Sequence, residues 1–258
     1  MLKFALLGSG SSGNATLVTD GRSSVLIDNG LSYVRLAERL AKAGLSAGDL
    51  DAVFVTHEHA DHSKGLGVLS RKVDVPIFAS RGTCEALPKG LGPLRRLEAF
   101  EAGEDIHVGD LTVSIFSVAH DACDPVNYTV KNTRAKIGFA TDFGHCSHLI
   151  RTRLAGSHAL VLESNYCPDM LRNGSYPPSI RQRISGRLGH LSNHDAAALM
   201  SFLAHEGLQL VVLVHLSQEN NLPELAHRMA REALGGHPAE IVVAPPDGDP
   251  RLFEVCPQ

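Results

Sequence analysis

Three histidines and Asp61, all of which can bind metal ions, lie within the segment THEHADH at residues 56–62. His57 and His59 are two residues apart, and Asp61 and His62 follow on the same short segment. Imidazole and carboxylate groups are common ligands of catalytic metals, so His57 and His59 can bind one ion while Asp61 and His62 reach a second. The alternative is a surface loop that is rich in histidine by chance. We favour a site for two divalent metal ions.

An apolar run at residues 51–55 (DAVFV) directly precedes this segment and reads as a buried strand. The same order, an apolar strand followed by a histidine or an acid, returns at His120, Asp142 and His215. Strand ends that meet at one edge of a sheet would bring these side chains together. Residues 32–43 have the periodicity of a helix, and the alternation of strands with helices predicts an α/β protein.

The segment GSGSSG at residues 8–13 matches the glycine pattern of dinucleotide-binding loops. Such a loop opens a helix, whereas residues 15–19 and 23–28 read as two strands joined by an Asp-Gly turn. We therefore interpret residues 8–13 as a turn whose backbone N–H groups, with the amide of Asn14, can face a phosphate. Asp28 ends its strand and is expected to support the metal-binding loop.

Composition limits the class of protein. A chain of 258 residues with 43% hydrophobic content fits one large domain, and we expect residues 1–258 to form a single domain. The net charge of -4 argues against a protein that coats nucleic acid by bulk electrostatics. Five cysteines without a Cys-x-x-Cys motif predict reduced thiols and a cytoplasmic location. We see no signal peptide or membrane-spanning run and expect no membrane association.

A local basic patch interrupts this acidic chain. Residues 170–194 contain four arginines and no Asp or Glu. Guanidinium groups match the geometry of phosphate oxygens, so Arg181, Arg183 and Arg187 are predicted to bind the phosphates of a nucleic acid. The alternative is a solvated helix face.

The sequence resembles the metallo-β-lactamase superfamily, whose signature His-x-His-x-Asp-His stands at residues 57–62. Further segments make it similar to the YycJ (WalJ) branch of bacterial proteins: GSGSSGN at 8–14, ESNY at 163–166, GHLSN at 189–193 and HLSQENN at 215–221. The similarity spans essentially the whole chain. It implies an αββα sandwich of two mixed β-sheets flanked by helices, with the metals where strand ends converge.

The resemblance also completes the metal site. It implies that one ion is bound by His57, His59, His120 and Asp142, and the other by Asp61, His62, Asp142 and His215. Antibiotic-hydrolysing members of the superfamily typically have a cysteine where this chain has Asp142. A shell of nitrogen and oxygen ligands suits Zn, Mn or Fe.

The YycJ branch is similar to the nucleases RNase J and RNase Z. The resemblance therefore implies a phosphodiesterase that acts on nucleic acid, with 5′-to-3′ exonuclease action on DNA and attack by a hydroxide that bridges the metals. The β-CASP domain inserted in related nucleases is absent here. Alternatives are hydrolysis of a small ester, thioester or lactone, and a metal-retaining protein that binds nucleic acid without turnover.

Two residues are assigned to catalysis, Asp61 beside the metals and His190 as the acid for the leaving group. The segment around His190 resembles the Gly-His-Ala-Ser motif of β-CASP nucleases, and histidine titrates near neutral pH. The alternative is that His190 only orders the start of the following helix at Ser192 or Asn193. The remaining substrate-binding predictions are Asn14, Ser192, Asn193, Ser217 and Asn220.

Overall fold

Two seven-stranded β-sheets form the centre of the computed structural model, counted over the residues that it describes, 1–245 and 248–256. The first sheet begins with β1 (Leu2–Gly8), β2 (Ala15–Thr19), β3 (Ser24–Ile27), β4 (Ala52–Phe54), β5 (Ile77–Ser80) and β6 (Leu97–Phe100). The second contains β7 (Asp105–Val108), β8 (Leu111–Ser117), β9 (Val126–Lys131), β10 (Lys136–Ala140), β11 (Ala159–Glu163), β12 (Leu210–Val214) and β13 (Glu240–Val243). Strand β14 (Leu252–Val255) returns to the first sheet and pairs with β1.

The α-helices connect these strands. They are α1 (Tyr33–Lys42), α2 (Ala60–Ser63), α3 (Leu66–Lys72), α4 (Arg81–Ala86), α5 (His148–Leu154), α6 (Pro168–Asn173), α7 (Pro178–Ser185), α8 (Asn193–Leu203) and α9 (Pro223–Leu234). Short 3-10 turns occupy Ala47–Asp49 and Lys89–Leu91. In the described part of the chain, none of these helices has the length and apolar character needed to cross a membrane.

Three groups of apolar side chains define the layers. The first lies between the sheets and includes Phe4 and Phe54 from one sheet and Tyr128 and Phe139 from the other. The second packs α5, α8 and α9 on the outer face of the second sheet. The third packs α1 and α3 on the outer face of the first sheet. The predicted αββα sandwich is therefore confirmed.

Both sheets are mixed. Strands β3 to β6 are parallel, as are β10 to β13, whereas the other neighbours are antiparallel. Parallel strands such as β12 are covered on both faces, which explains why all five of its residues are apolar and buried. Loops at the carboxyl ends of parallel strands meet at one edge of a sheet, where a site can form.

The glycine-rich segment is a turn between strands, as predicted. Strands β1, β2 and β3 pair antiparallel in sequence, so the helix that a dinucleotide-binding loop requires does not follow. Gly13 has φ of 145°, and a Cβ atom there would lie 2.3 Å from the carbonyl oxygen of Gly30. Glycine is needed at this position because two backbone segments come into close contact.

Candidate metal centre and active site

The loops at the carboxyl ends of several strands gather the candidate residues. The segment at 56–62 follows β4, and its end forms α2, which contains Asp61 and His62. From the second sheet, His120 follows β8, Asp142 follows β10 and His215 follows β12. The two sheets therefore contribute to one site.

His57, His59 and His120 form the first group, with one ring nitrogen of each within 4.8 Å of the others. Nε2 of His57 lies 3.0 Å from Nδ1 of His59. Burial, reinforced by His62, holds the pKa of His57 well below its ordinary value, and burial also lowers the pKa of His120. Both rings favour the neutral form, which is the form that binds a metal ion.

His57, His62 and Asp142 form a second group. Nε2 of His62 lies 3.4 Å from Oδ2 of Asp142, while its Nδ1 lies 2.8 Å from Oδ2 of Asp28. Burial opposes the charged form of His62, yet the carboxylates of Asp28 and Asp142 raise its pKa well above the ordinary value. This ring is thus held between two carboxylates.

Asp28 and Asn14 fix the side chains of this loop. The Asp28 carboxylate is buried and accepts hydrogen bonds from the backbone N–H and the hydroxyl of Thr56 as well as contacting His62. It takes the supporting position that the sequence indicates. The Asn14 amide nitrogen lies 3.3 Å from Oδ2 of Asp61 and 2.9 Å from Nε2 of His62. Asn14 therefore contacts two of the candidate metal ligands.

Glu163, at the end of β11, forms a third group with Asp142, His190 and His215. Its Oε1 lies 2.7 Å from Nδ1 of His190 and 2.9 Å from Nδ1 of His215, and the carboxylate is fully buried. Burial favours the neutral acid, but His190 and His215 lower the pKa of Glu163. The sequence patterns above did not single out this residue for the site, although it follows the rule of an acid at the end of a buried strand.

The grouping differs in part from the predicted ligand sets. His57, His59 and His120 are together, and Asp142 lies between the other two groups. The predicted second set is divided: His215 groups with Glu163 and His190, whereas His62 groups with His57. Oδ2 of Asp61 is 3.5 Å from Nε2 of His62. The assignment of individual ligands stays a prediction.

Asp142 provides the test of whether these groups suit a cation. Among the described residues, its buried Oδ2 has no hydrogen-bond partner. Burial raises the pKa of a carboxyl, but His215 and His62 hold that of Asp142 well below its usual range, so the group is charged. A buried carboxylate oxygen that accepts no hydrogen bond is costly, and a cation bound beside it offsets that cost. The nitrogen and oxygen donors fit divalent metal ions.

His190 lies at the edge of the site with its side chain 24% exposed. Burial opposes its charged form, but Glu163 raises the pKa of His190 above the ordinary value. The helix start at α8 is capped by Ser192, whose hydroxyl accepts the N–H of Asp195. The cap is thus one of the two residues that the sequence indicates, and the ordering of this helix start by His190 stays the alternative prediction.

Three of the residues predicted to bind substrate are buried. Ser192, Asn193 and Asn220 are all at least 97% buried. The Asn193 side chain accepts a hydrogen bond from Ser164 and is bonded to Asn221, so it links loops inside the protein. Ser192 and Asn193 thus support loops of the site, and contact of these three residues with a substrate stays a prediction. Ser217, by contrast, lines a cavity beside His190 and His215.

The three predicted phosphate-binding arginines have different surroundings. Arg183 on α7 pairs with Asp121, with 2.6 Å between Nη2 and Oδ2, and so is tied to the loop that carries His120. Arg181 donates a hydrogen bond to the carbonyl of Arg172 and lines a second cavity. Arg187 is exposed after the end of α7. Because Asp121 already pairs with its guanidinium, Arg183 has fewer N–H groups and less net charge for binding a phosphate.

Comparison with known proteins identifies the family. The Beta-lactamase superfamily domain matches residues 23–216. The chain is 38% identical over 235 residues to "Exodeoxyribonuclease YycJ" of Bacillus anthracis, covering 90% of this chain and 89% of the relative. It is 35% identical over 263 residues to "Exodeoxyribonuclease WalJ" of Streptococcus pneumoniae serotype 2 (strain D39 / NCTC 7466), covering 98% of each.

A solved structure agrees with the fold. The metallo-β-lactamase fold protein YhfI from Bacillus subtilis superimposes with a TM-score of 0.75 at 16% identity, covering 98% of this chain and all of that one. At this identity the likeness concerns the fold alone. The family match and the two relatives confirm the resemblance found in the sequence: the chain belongs to the β-lactamase superfamily, in the group that includes YycJ and WalJ.

Proposed function

We propose that the protein is a metal-dependent exodeoxyribonuclease that hydrolyses phosphodiester bonds of DNA. The observation that carries this proposal is the set of imidazoles and carboxylates gathered around Asp142, whose charged, buried Oδ2 accepts no hydrogen bond. The names of the relatives, exodeoxyribonucleases YycJ and WalJ, support DNA as the substrate. The 5′-to-3′ direction follows the expectation for this branch.

Two divalent ions, Zn, Mn or Fe, would be held by the predicted ligands. The proposed sets are His57, His59, His120 and Asp142 for one ion, and Asp61, His62, Asp142 and His215 for the other. Bound there, such ions would supply a water of lowered pKa and offset the negative charge on the phosphoryl oxygens. Asp28 and Asn14 hold the loop that carries His62 and Asp61 in one orientation.

His190 is the proposed proton donor to the leaving oxygen. Glu163 bonds to Nδ1 of His190, which fixes the ring and leaves Nε2 as the nitrogen free to meet the substrate. The same carboxylate oxygen contacts Nδ1 of His215, so one buried acid orients both rings. A donor in this position is useful because the alkoxide of a deoxyribose is a poor leaving group until it is protonated.

We further propose that residues 1–258 act as one domain without an inserted nucleic-acid-binding domain. The alignment to WalJ over 98% of both chains supports this. A cytoplasmic location is proposed from the cysteines, all five of which are free thiols.

Parallel assays test the proposal against its alternatives. Metal is titrated into the protein, and end-labelled DNA, end-labelled RNA and a panel of carboxylic ester, thioester and lactone substrates are followed side by side. We expect metal-dependent shortening of the DNA from its end. Hydrolysis of the small esters without cleavage of DNA would favour the alternative hydrolase, and tight DNA binding without cleavage would favour a binding protein.

A further inference from the structure

A cavity of about 530 Å³ opens directly beside His190 and His215. Its lining comes from the turn between β1 and β2, the loop that follows β11, helix α7 with the segments on either side of it, and the loop that follows β12. Its volume lies in the range of about 300 to 1,000 Å³ that is typical of small-molecule sites. The cavity therefore has room for a compact group placed next to the reacting centre.

Apart from the rings of His190 and His215, the lining of this cavity is polar and has no cationic side chain among the described residues. It includes Ser11, Ser12 and Ser217, which carry hydroxyls, together with Gln218, Glu219 and Tyr176. Of the described residues that line it, none is Lys or Arg. By contrast, the lining of a second cavity of about 400 Å³ includes two cationic side chains, those of Arg172 and Arg181.

The difference in charge between the two cavities suits them to different parts of a nucleotide. Phosphate groups are bound mainly by cationic side chains, so the arginine-lined cavity suits the sugar-phosphate backbone. Neutral hydroxyl and amide groups suit an uncharged sugar and the edge of a base. An aromatic ring such as Tyr176 offers a surface on which a base of any type can stack.

We infer that the 530 Å³ cavity binds the base and sugar of one unpaired nucleotide at the end of the DNA strand. This inference rests on the proposed nuclease function and adds the site that recognises the strand end. Tyr176 stacks on the terminal base, and a duplex end must open before it can be digested. Glu219 accepts a hydrogen bond from an exocyclic amino group, so ends in A, C or G are preferred to ends in T.

The experiment compares single-stranded oligonucleotides that differ only in the terminal residue at the digested end. One series carries A, C, G or T, and a second carries an abasic residue. For the wild-type protein, removal of the base is expected to lower kcat/KM for terminal release about tenfold, the effect of removing one stacked base. For Tyr176→Ala, kcat/KM is expected to fall about tenfold on DNA with a normal end and to stay at the wild-type value on DNA with an abasic end.

Two more variants separate recognition from folding. Tyr176→Phe keeps the ring and is expected to restore the wild-type ratio between normal and abasic ends. Glu219→Gln is expected to bring the rate for a C end close to that for a T end, whereas the matched control Glu224→Gln, exposed on α9, retains the preference. Melting temperatures of all variants are measured beside the kinetics.

The outcomes distinguish the inference from the proposed function. If the wild-type protein digests DNA but treats normal and abasic ends alike, the cavity is not a nucleoside subsite and the inference fails, while the nuclease function stands. If the metal-loaded wild type hydrolyses bis(p-nitrophenyl) phosphate but no DNA end, the proposed function itself fails. Equal effects of Tyr176→Ala on normal and abasic ends would also overturn the inference.

Discussion

Asp28, Asp142 and His215 share a left-handed backbone conformation, with φ of 60°, 56° and 57°. Among the described residues they are the non-glycine positions with positive φ. Each lies just after the carboxyl end of a strand, on the side of the sheets where the candidate ligands meet. Such a conformation costs about 1 to 3 kcal/mol and persists where surrounding structure enforces it, often at functional sites. Asp and His enter this region more readily than most residues.

Asp142 is the residue that we assign to both ions. Asp142→Ala is expected to remove both metals and abolish hydrolysis, because the shared carboxylate neutralises both cations. Metal content per chain is measured by elemental analysis after gel filtration. Asp110→Ala, which removes an exposed carboxylate from a turn outside the site, serves as the control and should keep its metals. Two ions retained per chain in Asp142→Ala would show that the ligand assignment is incorrect.

His190 is tested on substrates with different leaving groups. His190→Ala should slow DNA cleavage by about 10² to 10⁴ more than it slows cleavage of bis(p-nitrophenyl) phosphate, because p-nitrophenolate departs without a proton. Ser192→Ala removes the helix cap, so it should cost about 1 kcal/mol of unfolding free energy with similar effects on both substrates. Equal losses for His190→Ala on both substrates would assign it a structural role instead.

At the scale of elements, α7 stands apart because none of its residues is buried. Its sequence has little apolar periodicity, so packing alone does not hold it. The ion pair between Arg183 and Asp121 and the contact of its C-terminal turn with Gly144 attach it to the site. This placement leaves Arg181 and Arg187 as the better candidates for phosphate contacts.

The salt dependence of DNA binding tests that division. Arg181→Ala combined with Arg187→Ala should reduce the slope of log K against log salt by about 0.7 to 0.9 for each phosphate that the variant no longer neutralises. Arg183→Ala is the matched comparison and should change the slope less, because its guanidinium is already paired. The slopes are obtained from fluorescence anisotropy in a salt series. An unchanged slope in the double variant would mean that the patch is a solvated helix face.

Sequence patterns predicted the strands and placed candidate ligands at their ends, because a buried strand and the residue that follows it are local features. Glu163 follows the same pattern, but its partners His190 and His215 lie 27 and 52 residues away, so its role depends on tertiary structure. The surroundings of Asn193 also depend on tertiary structure. Its amide looked available in the sequence, yet the packing of three loops buries it against Ser164 and Asn221.

At the scale of the whole molecule, the histidines at the two ends of the second sheet have different surroundings. The carboxyl ends of its strands carry the candidate site, whereas His158 precedes β11 at the amino end. Nδ1 of His158 accepts the backbone N–H of Lys136, and the nearby His205 and His237 rings also bond to backbone groups. These histidines have a structural function.

Acid should destabilise the protein in part through His158. Burial, helped by His205 and Lys136, lowers its pKa below 6.5 in the folded state, so the folded protein binds this proton less readily than the unfolded chain. The contribution is fully present above about pH 6.5 and is lost as pH falls below it. The free energy of unfolding is measured with urea at about pH 7.5 and about pH 5.5, on either side of that value. Its decrease between the two pH values should be smaller for His158→Asn than for wild type. The exposed control His227→Asn should match wild type; a similar reduction in it would contradict this account.

Divalent metal held at this sheet edge is proposed to drive hydrolysis of DNA from its ends. The most direct measurement is the rate of nucleotide release from end-labelled DNA by chelator-treated protein as Mn or Zn is returned, with bound metal quantified in the same samples. We predict no release from the metal-free protein, and a rate that rises with occupancy until two ions are bound per chain. Full activity without metal, or two bound ions without any release of nucleotides, would contradict this proposal.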